Sequence, residues 1–96
     1  MRAVIREYAG TGARELFEFM EQHRAEIEQE IRTVHGLVSY TLARNGDGGF
    51  SVTVCEDQDG IDESIQKSKD WVASHAPHIA ASLPHVVNAR VVLHQP

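Results

Sequence analysis

The chain has 96 residues, 42% of them apolar and 24% charged, with a formal net charge of −5. This is the composition of an ordinary globular protein, expected as one domain over residues 1–96. It excludes the basic footprint that nucleic acids and anionic membranes require. A single cysteine, Cys55, excludes an internal disulfide framework, and no apolar run approaches the ~20 residues that span a bilayer. The short, charged start MRAVIREYAG does not read as a signal peptide, so a cytoplasmic location is expected. A chain of this size buries only roughly 60–65% of its unfolded surface, which favours association through an apolar face.

The first strand is expected over about Ala3 to Tyr8, bounded by Gly10 and Gly12. A helix follows from about Ala13 to Val34, because Leu16, Met20, His23, Ile27, Ile31 and Val34 recur at three- and four-residue steps along one face. Glu28 and Arg32, four apart, support the opposite face, and Gly36 supplies the helix stop. The second strand runs from Leu37 to Arg44, with Leu37, Ser39, Thr41 and Ala43 on one face and Val38, Tyr40 and Leu42 on the other. The run from Asn45 to Gly49 provides the turn chemistry of a hairpin. The third strand, Phe50 to Glu56, sets Phe50, Val52 and Val54 against Ser51, Thr53 and Cys55.

A second helix opens near Asp57–Asp59, where either carboxylate suits the amide-rich end of a helix, and it continues to about His75 before Pro77. The last strand is expected over about Val86 to His94 and is apolar on both faces. The order β-α-β-β-α-β predicts an α+β, ferredoxin-like fold: a four-stranded antiparallel sheet with two helices on one face. The other face, lacking chain to cover it, is expected to meet an identical face in a homodimer.

Chemistry is expected in the cleft between helices and sheet. Ser64, Lys67, Ser68, Trp71 and His75 form a strip on the second helix beside the apolar stripe of Ile61, Ile65 and Val72. A pocket for a flat organic ligand, walled by Trp71, His75, His23 and Tyr40, fits this pattern, and so does a plain core role for Trp71 and a hydrogen-bonded core-edge role for His23. His75, His78 and His85 straddle a helix end and a proline-bounded loop without the spacing of a zinc site, so no metal is expected. The glycines after the first strand lack the third member of a dinucleotide fingerprint, replaced by Glu15. The acids at Asp57, Asp59 and Asp62 fit capping better than a calcium loop, and Cys55 fits a buried, inert thiol.

With these residues in place, the chain resembles the dimeric α+β barrel superfamily, in particular small antibiotic-biosynthesis-monooxygenase-like proteins. The segment GLVSYTLARNGDGGFSVTVCEDQDGIDES and the Trp71 helix carry the resemblance. It implies two protomers packed sheet against sheet and a ligand pocket between sheet and helices of each. It also implies oxidation of a quinol, a polyketide phenol or haem by molecular oxygen, without a cofactor of the protein's own. In the haem-degrading branch an Asn on the first strand, a Trp on the second helix and a His beyond it carry the site. Trp71 stands at the Trp, His75 or His78 at the His, and the first strand, RAVIREY, has no Asn. The polyketide branch has an Asn one turn before its Trp, where this chain has Lys67.

The expected function is therefore a cofactor-independent monooxygenase acting on a small aromatic or quinol. Trp71 would form the pocket wall, His75 or His23 the proton acceptor, and Arg90 or Tyr40 the partner of a developing oxyanion, with Ser64, Lys67 and Ser68 lining the ligand. Two alternatives are a non-catalytic binder of a hydrophobic or haem-like ligand and a structural homodimer whose cleft its own side chains fill.

Overall fold

A computed structural model describes residues 1–96. The chain runs β1 (Arg2–Tyr8), α1 (Ala13–Gln22), α2 (Arg24–Ile31), β2 (Leu37–Asn45), β3 (Gly48–Cys55), α3 (Gln58–His75) and β4 (His85–Arg90). The four strands form one antiparallel sheet in the order β2-β3-β1-β4, the ferredoxin-like arrangement. The helices cover one face. Alternation along β1 sends Val4, Arg6 and Tyr8 under the helices and Ala3, Ile5 and Glu7 to the bare side.

Two apolar clusters hold the helices down. Val4, Ile31, Val34, Cys55 and Ile61 form one, and Leu16, Phe17, Met20 and Trp71 the other. The expected single helix over 13–34 is broken at His23, which caps α1 and opens α2 with φ −109° and ψ 24°. One straight rod does not reach both clusters across a twisted sheet. Bending at His23 lets Leu16, Phe17 and Met20 serve one cluster while Ile31 and Val34 serve the other.

Three further details depart from the sequence expectation. Register shifts between Leu37 and Ser39, so a bulge at Val38 turns Leu37 onto the face of Tyr40, where both pack on the first cluster. The hairpin is tighter than five residues: Asn45 pairs with Gly48, leaving Gly46, at φ 58°, and Asp47 as the loop. β4 ends at Arg90 instead of His94, because its partner β1 begins at Arg2. The amide of Val91 donates to the Met1 carbonyl at 3.0 Å, and no β1 residue remains beyond it.

The Asp57 side chain caps α3 by accepting from the Gly60 amide at 3.1 Å. The bare face carries Ile5, Phe50, Val52, Val54 and Val87 in register across β3, β1 and β4, and Ile5 and Val87 are 40% and 45% exposed in the single chain. Beyond β4, Val92 and Leu93 are almost wholly exposed.

The loop from Ala76 to Pro84 docks on the β1–α1 connection, where the Ser82 amide donates to the Thr11 carbonyl at 2.9 Å. Gly12 sits at φ 78°, and a Cβ there would lie 2.3 Å from the Ala80 carbonyl oxygen. The left-handed backbone costs a non-glycine residue about 1–2 kcal/mol, and the contact adds to it. Gly12→Ala is expected to lower the unfolding free energy by about 2–3 kcal/mol in a urea titration; an unchanged midpoint would mean that the loop does not dock there.

Candidate functional site

The helix–sheet interface is not filled. α3 lies over β1 with a small residue, Ser68, and Val72 facing Arg6 and Tyr8, and these four side chains wall two adjoining spaces. The inner one is a cavity of about 40 Å³ lined by Met20, Ile31, Tyr40, Leu42, Ser51 and Trp71. At that size it holds a few waters at most. The outer one is an open groove of about 830 Å³ under α3 and the 76–84 loop, lined by Leu16, Ile65, Ala76, Ile79, Leu83 and Val86. Its volume is that of a small-molecule site.

Arg6 stands where the two spaces meet, and it is the residue the sequence reading overlooked. It is only 7% exposed, lies between Ser51 and Val86 in the sheet, and presents its guanidinium carbon 5.7 Å from the centre of the Tyr8 ring. None of the chain's ion pairs or side-chain hydrogen bonds engages it, and its nitrogens keep contact with solvent, since no side-chain nitrogen or oxygen is both buried and unbonded. Glu30 is the carboxylate on the inner wall, and it lies 3.6 Å from the Lys67 ammonium instead. A signal existed in the sequence: two residues after the core-facing Val4, strand alternation puts Arg6 on the same face.

Burial pushes the Tyr40 phenol up to about 12, against a smaller opposing pull from the Arg6 cation, and burial raises Tyr8 in the same way. Both phenols therefore stay protonated at neutral pH and serve as hydrogen-bond donors, not as bases. Cys55, on the same sheet face, is buried, and burial followed by the nearby Asp57 and Glu63 charges raises its thiol, in keeping with an inert core residue.

Of the residues expected at the site, Trp71, Tyr40, Lys67 and Ser68 line the inner cavity together. Ser64 does not: it is buried, and its hydroxyl donates back to the Ile61 carbonyl at 2.7 Å. His75 and His23 lie outside the cavity walls, in a surface cluster around Trp71 and Phe19. The His75 ring stacks on Trp71 with centroids 4.6 Å apart and donates from Nδ1 to the Trp71 carbonyl at 3.0 Å. His23 stacks on Phe19 at 4.3 Å and meets Glu26 at 3.2 Å, and the other Glu26 oxygen is 3.8 Å from His75 Nε2.

His75 is four residues past Trp71, so the two rings are neighbours on one side of α3, and the partly exposed imidazole lies against the indole instead of on the cavity wall. His78 packs against Phe19 at 5.9 Å and His85 pairs with Glu7 on β1, so these histidines do not converge with His75, and no group of three metal-ligating side chains forms. Arg90 is four residues along β4 from Val86, about 13 Å at ~3.3 Å per residue, opposite Arg2 at the far end of the sheet. It does not reach the cleft; Arg6 occupies the place expected of it.

No family model matches the chain, and no curated protein matches it in sequence. Solved structures match its fold over nearly the whole length. A protein of unknown function from Nitrosomonas europaea superposes with a TM-score of 0.72 at 11% identity, covering 99% of this chain and 91% of that one. MhuD, solved with two manganese protoporphyrin IX molecules per active site, gives 0.66 at 17% identity, covering 99% and 97%. SnoaB, a cofactor-independent oxygenase from Streptomyces nogalater, gives 0.59 at 14% identity, covering 99% and 94%. The chain therefore shares the α+β, ferredoxin-like fold of these structures. At these identities the likeness concerns the fold, and the chemistry must be argued from the cleft.

Because the Tyr40 phenol is held about two units above its ordinary value of 10, the folded state keeps a proton that the unfolded chain loses. That contribution is fully present below pH 10 and disappears as pH rises to 12, amounting to roughly 2–3 kcal/mol. Urea unfolding of the wild type should weaken by about this amount across that window, and Tyr40→Phe should show a correspondingly smaller loss.

Proposed function

We propose that this chain is a cofactor-independent monooxygenase-like protein that takes a small aromatic or quinol substrate into the cleft beneath α3, and that it works as a homodimer packed through its bare sheet face. The observation that carries the reading is the cleft itself: an aromatic and aliphatic wall of Trp71, Tyr8, Tyr40, Met20 and Leu42, with a buried cation at its floor. The fold shared with an oxygenase supports the reaction class by analogy.

The chemistry such a cleft supports draws its electrons from the substrate. A methylene activated by neighbouring carbonyls, or an electron-rich quinol, loses a proton, and the resulting anion reduces oxygen; for the methylene the sum is R2CH2 + O2 → R2C=O + H2O. Trp71 and the apolar wall orient the flat ring and exclude water. Arg6 stabilises the negative oxygen that forms on ionisation, and Tyr40, kept protonated, donates to it. Since His23 and His75 stand off the cavity, the proton acceptor on the wall is Glu30, whose carboxylate shares the cavity mouth with Lys67.

The absence of an imidazole from the cavity wall favours, as a second reading, binding without turnover. Oxygen uptake with a panel of quinols and anthrones separates the two. Uptake above background is expected, and Ser68→Leu, which fills the junction of the two spaces, should reduce it at least about tenfold with its circular dichroism unchanged. Background uptake throughout, with ligand binding that Ser68→Leu abolishes, would leave the binding reading standing instead.

The dimer rests on the apolar ridge of Ile5, Val52 and Val87, which no element of this chain covers. Light scattering at micromolar protein should give twice the chain mass. Val87→Asp, at a position half-exposed in the single chain, should halve that mass with its circular dichroism unchanged; a monomeric wild type would contradict the assembly.

A further inference from the structure

The cleft has the wrong sign for this chain. The sequence carries 14 acidic and 9 basic residues, yet the walls of the two adjoining spaces hold Arg6, Lys67 and Lys69 against one carboxylate, Glu30, which already faces Lys67. Arg6 is the telling member. A guanidinium does not shed its proton in a protein, so unlike a buried lysine or histidine it has no way to escape burial as a neutral group. Removing a charge from water is costly unless an opposite charge or a full set of acceptors meets it, and the polar side chains that line the space with Arg6 are two protonated phenols, the hydroxyls of Ser51 and Ser68, and a Glu30 already facing Lys67. The bare sheet face lies on the other side, so a second copy packed there brings no carboxylate to Arg6.

We infer that the cleft is built for an aromatic ligand bearing an anionic oxygen, which Arg6 binds at the junction of the inner cavity and the outer groove. This rests on the reading of the cleft as a ligand site and narrows it to a substrate class. The inner cavity, a few waters in size, receives the charged head beside Tyr40 and Ser51, and the groove of about 830 Å³ receives the ring system. The planar fork of Arg6 suits a carboxylate, which accepts two parallel hydrogen bonds. It also suits a phenol or enol that ionises on binding, its proton leaving to water through the open groove. Lys69 at the groove and Lys67 at the cavity mouth add attraction for an incoming anion.

Three ligands of one shape test this by calorimetry at pH 7: 2-naphthoate, 2-naphthol and 2-naphthamide. Trp71, the chain's one tryptophan, reports occupancy through its fluorescence. The wild type is expected to bind 2-naphthoate at least about tenfold more tightly than the neutral amide. Arg6→Gln should erase that preference, and Arg6→Lys should keep part of it. Binding of 2-naphthol with the absorption of its anion would identify a ligand ionised in place, and preference for 2-naphthoate alone would identify a preformed carboxylate; both support the inference.

Equal affinity for acid and amide, or a preference that survives Arg6→Gln, overturns it while leaving the cleft a ligand site. Failure of all three to bind or to quench Trp71 overturns the cleft reading and this one with it. Stability gives an independent check, because a largely buried charge with no partner in its own fold burdens the empty protein. Arg6→Met is expected to melt about 4–8 °C higher than the wild type without ligand, and a lower melting temperature would show that the fold itself satisfies the guanidinium.

Discussion

Strand alternation fixes the interior of this protein. Once Val4 is seated at zero exposure between Ile31, Cys55 and Ile61, the residue two along must also point under the helices, and that residue is Arg6. It cannot turn outward without sending Ile5 inward and breaking the register with Val52 and Val87. The groups above it follow from its presence: small hydroxylic Ser51 and Ser68, two phenols, and a roof helix that stops short of filling the space. The cavity is thus a consequence of holding a cation where a core residue would otherwise sit.

The two faces of the sheet carry different duties. The helix-covered face supplies the buried clusters that fold the chain and, between them, the cleft. The bare face is apolar along Ile5, Val52 and Val87, with Glu7, Ser39 and Thr41 around them, which suits a small chain that gains from burying further surface. The groove opens under α3 and the 76–84 loop, away from the bare face. A largely buried charge with no partner in its own fold lowers stability.

Much of the fold was legible in the sequence because period-2 and three-to-four spacing are local signals. The strand alternation, an acidic cap at Asp57 or Asp59 and the β-α-β-β-α-β succession followed from them. The departures arise where a distant partner decides. His23 breaks the first helix because two clusters must be reached, Val38 bulges to turn Leu37 inward, and β4 ends where β1 begins. The site was half legible for the same reason. Trp71, Lys67 and Ser68 share one helix and Tyr40 a neighbouring strand, so spacing brought them together.

His75 shares that helix too, but its ring is committed to the outer face of Trp71, and Arg90 is set by β4 register at the wrong end of the sheet. Arg6 went unread as a site residue because a charged residue in a strand is ordinarily a solvated one. Only the pairing of β1 between β3 and β4, under α3, makes it a buried one. Its lack of a partner is a property of three-dimensional placement that spacing does not encode.

The most direct measurement is a crystal structure of the protein soaked with 2-naphthoate. Electron density for its carboxylate within hydrogen-bond distance of Arg6, with the rings lying beneath Ser68 and Val72 against Tyr8, is the expected result. A well-occupied ligand elsewhere on the surface, with Arg6 paired to a side chain of its own fold, would contradict the account.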